Sequence, residues 1–445
     1  MFRMAAKLSR ASVALAQTAK LGTIPKRSYL SSSFPQFRLF HSGLEGSVAN
    51  PVAIQMINYA LTHARSQKSA ESYSQGLLVL EQCLSTQLSQ GEDPANENAK
   101  AMVLLAMSTL LSERGDVDEA IDKLQSIQEL TSSFLGLRVA AFEALVGFHL
   151  EMEKDDISSV LADKCLEQVE KQEAGSNGKG FGAINVRAKA LKGLVELING
   201  NIESAEAFFR GPHEEILCNG SVALSYGELL HAKQNFSLAK EVYQSVIQGD
   251  YGNKDVLAAG TMTLEGLMVG AMCALGQLEA HLGNFGDAEE LLTKALTKAE
   301  ECFGSHHPKV GVILTCIALM FKRKAVQERS SSLLIQEGLY RRAIELLKAP
   351  PLETEGAPTL VDRSDIVALA RGGYAEALVV QENRKAQAEK MKNWAEAIWR
   401  NRRLSLAEAL ENDPASKVPV IDARIARILC YSRFLRRLLY DPVVN

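Results

Sequence analysis

A short motif recurs along the chain and constrains its fold more than any other sequence feature. In its clearest copy a glycine is followed by a bulky residue, an alanine and a second bulky residue: Gly283, Phe285, Ala288 and Leu292. Related copies occupy residues 115–124, 200–209, 236–243 and 338–347. Glycine with a neighbouring Asn or Asp favours a turn that ends a helix, and spacings of three and four place residues on one helical face. The motif therefore predicts a helix–turn–helix corner that repeats along the chain.

Small residues at fixed distances from the motif predict close contacts between the two helices of each pair. Twelve positions before the motif alanine the chain carries a small residue, at Ser108, Gly193, Gly227 and Gly276. Such residues let two helix backbones approach where a larger side chain would clash. With weaker copies included, the small positions of the second helices fall at Gly76, Ala120, Val160, Ala205, Ala239, Ala288 and Ala343. This series predicts about seven helix pairs.

These residues resemble the pattern of the tetratricopeptide repeat (TPR) family. The intervals between the small positions mostly exceed the usual repeat of about 34 residues, as in kinesin light chain repeats. The link that contains Gly304, His307, Pro308 and Val310 is similar to the Gly-x-x-His-Pro-x-Val link of that branch. The resemblance covers residues 50–348 and implies an all-α fold. It implies a right-handed superhelical solenoid of helix pairs with C-terminal capping helices.

The N-terminal segment 1–44 has the composition of a targeting presequence. It is rich in Ser and Ala and contains no acidic residue. Residues 2–20 can form a basic amphipathic helix, as transit peptides do. The sequence predicts import into mitochondria, into the matrix, with the plastid as the alternative. A disordered basic tail is the simpler alternative for this segment. Separately, the repeats resemble those of TPR-like proteins of plant mitochondria.

The C-terminal part departs from the repeat pattern. Residues 349–364 contain several prolines and are predicted to be a linker, and residues 365–445 to be a basic helical segment. Within it, residues 385–410 are predicted to form one helix that carries both tryptophans. Residues 422–440 are predicted to form a last amphipathic helix, because Ile421, Ile425, Ile428, Leu435 and Leu439 fall near one face. Capping of the solenoid is the simplest role for that helix.

Composition limits the remaining classes of protein. Hydrophobic residues make up 47% of the chain and charged residues 23%, as in a folded protein. The longest weakly charged stretch, residues 266–278, is too short for a membrane span. The seven cysteines are scattered without a C-x-x-C pair, which argues against a disulfide framework and agrees with a reducing compartment.

Motifs for catalysis and cofactor binding are weak or missing from the sequence. Residues 175–182 look like a phosphate loop, but Lys179 is followed by glycine instead of Ser or Thr. A zinc site could draw on Cys302, His306, His307 and Cys316. The two histidines are adjacent, however, and adjacent histidines rarely reach one tetrahedral ion together. We expect a protein that is not an enzyme and has no cofactor or bound metal.

Binding of a protein partner is the function that the sequence favours. Stacked helix pairs form a concave groove lined by the first helix of each pair. The inner positions predicted to contact a partner segment are Arg65, Lys68, Thr109, Leu194, Glu228, His231 and Gln277. These residues do not form the two-carboxylate clamp of chaperone-tail adaptors, and the apolar positions among them suggest an amphipathic helix as ligand. A tight superhelix that binds nothing is the alternative.

Association with RNA or ribosomes is the second function that the sequence allows. Basic residues outnumber acidic ones from Arg384 onward, and the arginines of the last predicted helix could contact phosphate. Those arginines are Arg424, Arg427, Arg433, Arg436 and Arg437. The middle of the chain is acidic and disfavours general nucleic-acid binding. The leading hypothesis is a non-enzymatic scaffold or assembly factor in mitochondria.

Overall fold

The computed structural model describes residues 50–88, 93–173, 181–211, 213–217, 219–249, 258–352, 361–401, 404–411 and 419–429. All of them belong to one compact unit, Arg38–Asn445. The predicted presequence 1–44 lies outside the described residues. So do residues 175–180 of the phosphate-loop candidate and residues 430–440 of the predicted last helix.

Helices account for nearly all of the described residues. In chain order they are α1 Pro51–Gln67, α2 Ala70–Leu88, α3 Pro94–Arg114, α4 Val117–Gln128, α5 Leu135–Glu151, α6 Asp155–Glu173, α7 Phe181–Ile198, α8 Ile202–Phe208, α9 His213–Leu217, α10 Gly220–Ala232, α11 Phe236–Gln248, α12 Leu264–His281, α13 Phe285–Phe303, α14 Pro308–Gln327, α15 Leu333–Leu346, α16 Ser364–Val379, α17 Lys385–Ile398 and α18 Leu406–Leu410. Short 3₁₀ turns occur at Gly260–Met262 and Glu382–Arg384. Two strands follow, β1 Val420–Asp422 and β2 Arg427–Leu429.

Consecutive helices pack in pairs, and each pair packs against the next. Within the described residues the pairs are α1/α2, α3/α4, α5/α6, α7/α8, α10/α11, α12/α13, α14/α15 and α16/α17. Except for α1, the first helices have most of their residues buried, as in α5, where every residue is buried. The second helices bury one face, as in α13. A helix that is apolar all round lies in an interior, so the first helices form an inner layer. The predicted all-α solenoid of helix pairs is confirmed.

The small positions behave as the motif predicts. Ala120, Ala205, Ala239, Ala288 and Ala343 are all fully buried. On the first helices, a Cβ added to Gly193, Gly227 or Gly276 would lie 2.5–2.7 Å from Phe209, Tyr243 or Leu292 respectively. Each of those bulky residues stands four positions after the motif alanine. The glycine of the first helix therefore makes room for the second bulky residue of the next corner.

Two positions of the motif are corrected by the structure. Val160 is not a close-packed small position, since it is 52% exposed while Ser158 and Ala162 on the same helix are fully buried. The predicted small position in this weak copy is therefore two residues away from the positions that are buried. Gly338 does not form a corner, because it lies inside α15 and the turn falls at Arg329, whose φ is 48°.

The C-terminal part also differs from the prediction. The single helix predicted over residues 385–410 is wrong, because α17 ends at Ile398. Beyond it, the Nε1–H of Trp399 donates to the carbonyl of Leu404 at 2.6 Å. The helix predicted to start at Asp422 is wrong as far as residue 429. Residues 420–429, here called the central hairpin, form an antiparallel pair of strands with Ile421 opposite Ile428.

Candidate functional site

The central hairpin occupies the interior that a partner segment was predicted to enter. Its strand β1 packs on α12 and α10, and its strand β2 packs on α16 and α7. Every residue from 420 to 429 is buried, with 0–8% exposure. The inner layer of helices therefore surrounds a segment of its own chain.

Gln277 holds the backbone of the central hairpin. Its Nε2 donates to the carbonyl oxygen of Ile421 at 2.8 Å, and its Oε1 accepts from the Ile421 N–H at 2.8 Å. A buried strand must satisfy both of these backbone groups. Gln277 was predicted to contact a partner segment, and in the structure it binds the backbone of its own chain.

Arg424 is the centre of a buried charged cluster between the hairpin and α10. Its side chain is fully buried and donates to Asp422, Glu228 and Ser225, the Asp422 Oδ2 lying at 2.9 Å. Gly270 of α12 provides the space, since a Cβ there would lie 2.8 Å from the Cγ of Arg424. We call Arg424, Asp422, Glu228 and Ser225 the arginine cluster.

The arginine cluster contains one cation and two carboxyl groups. Burial raises the pKa of Glu228 well above its usual range, and the neighbouring Asp422 adds to the rise while Arg424 opposes it. A protonated Glu228 leaves Arg424 paired with one ionised carboxylate. The cluster is then neutral, which is how buried charges are tolerated.

His231 belongs to a second buried polar group rather than to a partner surface. Its Nε2 lies 2.8 Å from Nδ1 of His281, and its Nδ1 lies 3.3 Å from the Tyr243 hydroxyl. Burial lowers the pKa of His231 to about 3, so both the ring and its neighbour His281, whose pKa also falls, are neutral at pH 7. One ring nitrogen of the pair donates and the other accepts.

The remaining predicted groove residues have structural contacts as well. Arg65 forms ion pairs with Glu113 of α3 at 2.7 Å and with Glu265 of α12 at 3.2 Å. Thr109 Oγ1 accepts from the N–H of Gly260 at 3.4 Å, and Leu194 is buried in the core. Lys68, at the end of α1, is exposed and lines a cleft described below.

The arginines proposed to contact phosphate are buried where the structure describes them. Arg427 forms a two-pronged ion pair with Asp155, with nitrogen–oxygen distances of 2.6 and 2.8 Å, and also donates to the Leu150 carbonyl. With Arg424 it was expected on the exposed face of a helix, and that placement is wrong for both residues. Arg433, Arg436 and Arg437 lie outside the described residues.

A cleft of about 770 Å³ opens at one rim of the array, where the ends of α1, α3, α5 and α15 meet the start of α14. We call it the rim cleft. Its lining includes Lys68, Glu151, Phe303, His307, Lys309, Lys348 and Arg363. Glu151 is paired with Arg363 at 2.8 Å. Sequence reasoning did not single out Lys309, although it directly follows the helix-starting Pro308 of the link.

A second cleft, also about 770 Å³, contains Asp365 and Glu153. The Oδ1 of Asp365 accepts from the backbone N–H groups of Arg400 at 2.8 Å and Asn401 at 3.3 Å. Burial raises the pKa of Asp365 to about 6 despite those two hydrogen bonds. Ionising this carboxyl therefore costs more free energy in the folded state than in the unfolded state.

The described residues include neither a candidate metal site nor a candidate membrane span. Among them, no group of three or more His, Cys, Asp or Glu side chains is arranged to hold a metal ion. Of the zinc candidates, Cys316 is buried with its Sγ 3.6 Å from the Sγ of Cys273. No described helix is long and apolar enough to cross a bilayer.

Comparison with known proteins gives a limited result. No family model matches the chain, and no match was found among the curated proteins. The chain is similar to the crystal structure of BtubC (BKLC) from P. vanneervenii, with 13% sequence identity and a TM-score of 0.39 over 56% of this chain and 90% of that one. A likeness this distant carries no functional argument, so the helix-pair solenoid rests on the packing described above.

Proposed function

We propose that the protein is a non-enzymatic scaffold that binds a protein partner on the outer edge of a closed array of helix pairs. The sequence suggested capture of a partner segment in the groove. The central hairpin fills that space with five large apolar residues, Val420, Ile421, Ile425, Ile428 and Leu429. At about 1.5–3 kcal/mol for each, their burial contributes about 8–15 kcal/mol. A partner segment would have to replace all of this buried apolar surface to enter the interior, so we place the partner-binding surface outside the groove.

One surface feature carries the proposal. Exposed apolar side chains stand at the corners of three consecutive pairs, α12/α13, α14/α15 and α16/α17. We call them the corner stripe: Leu282, Val326, Leu334, Val379 and Val380, with exposures of 44–84%. Because consecutive pairs stack, their corners follow one edge of the array. Exposed apolar residues that recur along one edge are typical of a protein-binding surface. The net charge of −4 favours basic partners during encounter.

The test is affinity purification with matched variants of the full chain. Wild type should recover a stoichiometric protein partner, and Leu334→Asp combined with Val380→Asp should lose it. The control is Leu78→Asp on α2, which is equally apolar and 64% exposed but lies outside the corner stripe. Equal recovery of the partner by all three proteins would contradict the proposed surface, and recovery of no stoichiometric protein would contradict the scaffold.

We further propose that the scaffold acts in the mitochondrial matrix, with the plastid as the alternative. The support is the basic, acid-free segment 1–44, which has transit-peptide composition. Import of the radiolabelled full chain into isolated mitochondria, with a size shift that requires membrane potential, is the expected result. Import by plastids instead would contradict the mitochondrial location.

A further inference from the structure

Lys309 stands out in the rim cleft because it is almost buried and its ammonium has no described hydrogen-bond or ion-pair partner. The residue is 6% exposed and lies in the first turn of α14. Its Nζ sits 5.0 Å above the ring of Phe303, which also lines the cleft. Among the described residues, no hydrogen bond or ion pair of this ammonium occurs. The ammonium is therefore stabilised by the Phe303 ring and by no described acceptor, which leaves it available to an anion that enters the cleft.

The neighbouring groups increase this excess of donors. Glu151 is the carboxylate with the largest electrostatic effect on Lys309, and it is already paired with Arg363 at 2.8 Å. Lys348 is exposed at the cleft, forms no described ion pair and acts electrostatically on His307. Among all the charged residues that line the cleft, five are basic and three are acidic: Lys68, Arg114, Lys309, Lys348 and Arg363 against Glu113, Glu151 and Asp362.

His307 supplies a further donor. Its Nδ1 accepts from the backbone N–H of Lys309 at 3.2 Å, and burial lowers its pKa to about 3, so the ring is neutral. A neutral imidazole whose Nδ1 accepts carries its proton on Nε2. His307 caps α14, a helix of 20 residues. The positive end of that helix dipole adds to the attraction for an anion.

We propose that the rim cleft is a binding site for a phosphate group carried by a small organic molecule, with Lys309, Lys348 and the Nε2–H of His307 as donors. Lysine is a common point-charge ligand of phosphate, and three donors suit its three terminal oxygens. The cleft, at about 770 Å³, is larger than a free phosphate requires. Phe148 and Phe303 provide an apolar wall for the organic part of the ligand.

The experiment is isothermal titration of the full-length protein with phenyl phosphate, inorganic phosphate and benzoate. Phenyl phosphate should bind most tightly, because it fills both the donor site and the apolar wall. Lys309→Met should weaken its binding about ten- to a hundredfold, the loss of one charge-assisted hydrogen bond. Lys348→Ala should weaken it several-fold. Lys390→Met, which removes an exposed lysine of α17, is the control and should bind like wild type.

The outcomes separate the possibilities. Because the Lys309 ammonium forms no described hydrogen bond or ion pair, and because methionine can still pack on the Phe303 ring, Lys309→Met should keep the wild-type circular dichroism spectrum. That spectrum distinguishes lost binding from lost folding. Inorganic phosphate that binds as tightly as phenyl phosphate would overturn the organic ligand. Benzoate that binds more tightly than phenyl phosphate would overturn the phosphate assignment. Failure of wild type to bind either phosphate, or equal binding by Lys309→Met, would overturn the site.

Discussion

Replacing Arg424 with methionine should destabilise the fold more than replacing the neighbouring Glu228 with glutamine. Methionine keeps much of the side-chain volume that Gly270 accommodates but removes the guanidinium. Asp422, whose side chain is fully buried, would then lose the guanidinium that pairs with it. Substitutions that leave an uncompensated buried charge cost about 3–5 kcal/mol. We expect a loss of that size in the free energy of unfolding for Arg424→Met.

The same reasoning predicts a small effect for Glu228→Gln. Because burial raises the pKa of Glu228 well above its usual range, the folded state favours the protonated form of this residue. Glutamine has nearly the shape of that protonated acid and still offers an oxygen to Arg424. We expect a cost of about 1 kcal/mol or less, the scale of one neutral hydrogen bond.

Urea unfolding followed by circular dichroism measures both variants. The midpoint should fall strongly for Arg424→Met with little change in slope, since the slope follows the surface exposed on unfolding. Arg342→Met is the control, because its ion pair with Glu345 is at the surface, where such pairs contribute about 0–1 kcal/mol. An Arg424→Met protein within about 1 kcal/mol of wild type would refute the buried-charge argument. A Glu228→Gln protein as unstable as Arg424→Met would show that Glu228 is ionised.

Two further predictions follow from packing and from ionisation. Gly227→Ala should cost about 1–3 kcal/mol, because the new Cβ would lie 2.7 Å from the Tyr243 ring. Gly338→Ala, in the open interior of α15, should instead stabilise by about 0.5–1 kcal/mol, and thermal melts that rank the two variants in the other order would contradict the packing. Asp365→Asn should raise stability relative to wild type at pH 8, with a ceiling of about 3 kcal/mol for a carboxyl whose pKa rises from 3.8 to about 6. The folded carboxyl binds its proton more tightly than the unfolded one, so this advantage should be full above pH 6 and disappear towards pH 4; an advantage that persists at pH 4 would argue against the raised pKa.

The helix pairs could be predicted from the sequence because their signal is local. The relation between Gly276, Ala288 and Leu292 needs only the periodicity of two neighbouring helices. The structure places Leu292 against Gly276 and buries Ala288 completely. Val160 shows the limit of that reasoning. Where the motif is weak, a frame error of two residues exchanges a buried position for an exposed one, because successive residues of a helix point in different directions.

The candidate site could not be predicted, because it is assembled from distant parts of the chain. Residues 420–429 have apolar residues at spacings that suit a short helix or a strand, and a run of that length does not distinguish the two. The strand form is instead supported by contacts with Gln277 and Glu228, which lie 144 and 196 positions away from their hairpin partners Ile421 and Arg424. The rim cleft likewise depends on helix ends that are far apart in sequence. The residues around Lys309 in the sequence therefore do not show that its ammonium lacks a hydrogen-bond acceptor.

The central hairpin changes the order in which this array can mature. Repeat arrays generally fold through neighbour-to-neighbour contacts and can grow as each unit is synthesised. Here the ribosome makes every helix pair before it makes residues 420–429, and those residues complete the interior. Until translation passes residue 429, the faces that will contact the hairpin therefore stay uncovered on α7, α10, α12 and α16. Nascent chains of this protein present a chaperone-binding surface throughout that interval, and a premature stop before Val420 would make the exposure permanent.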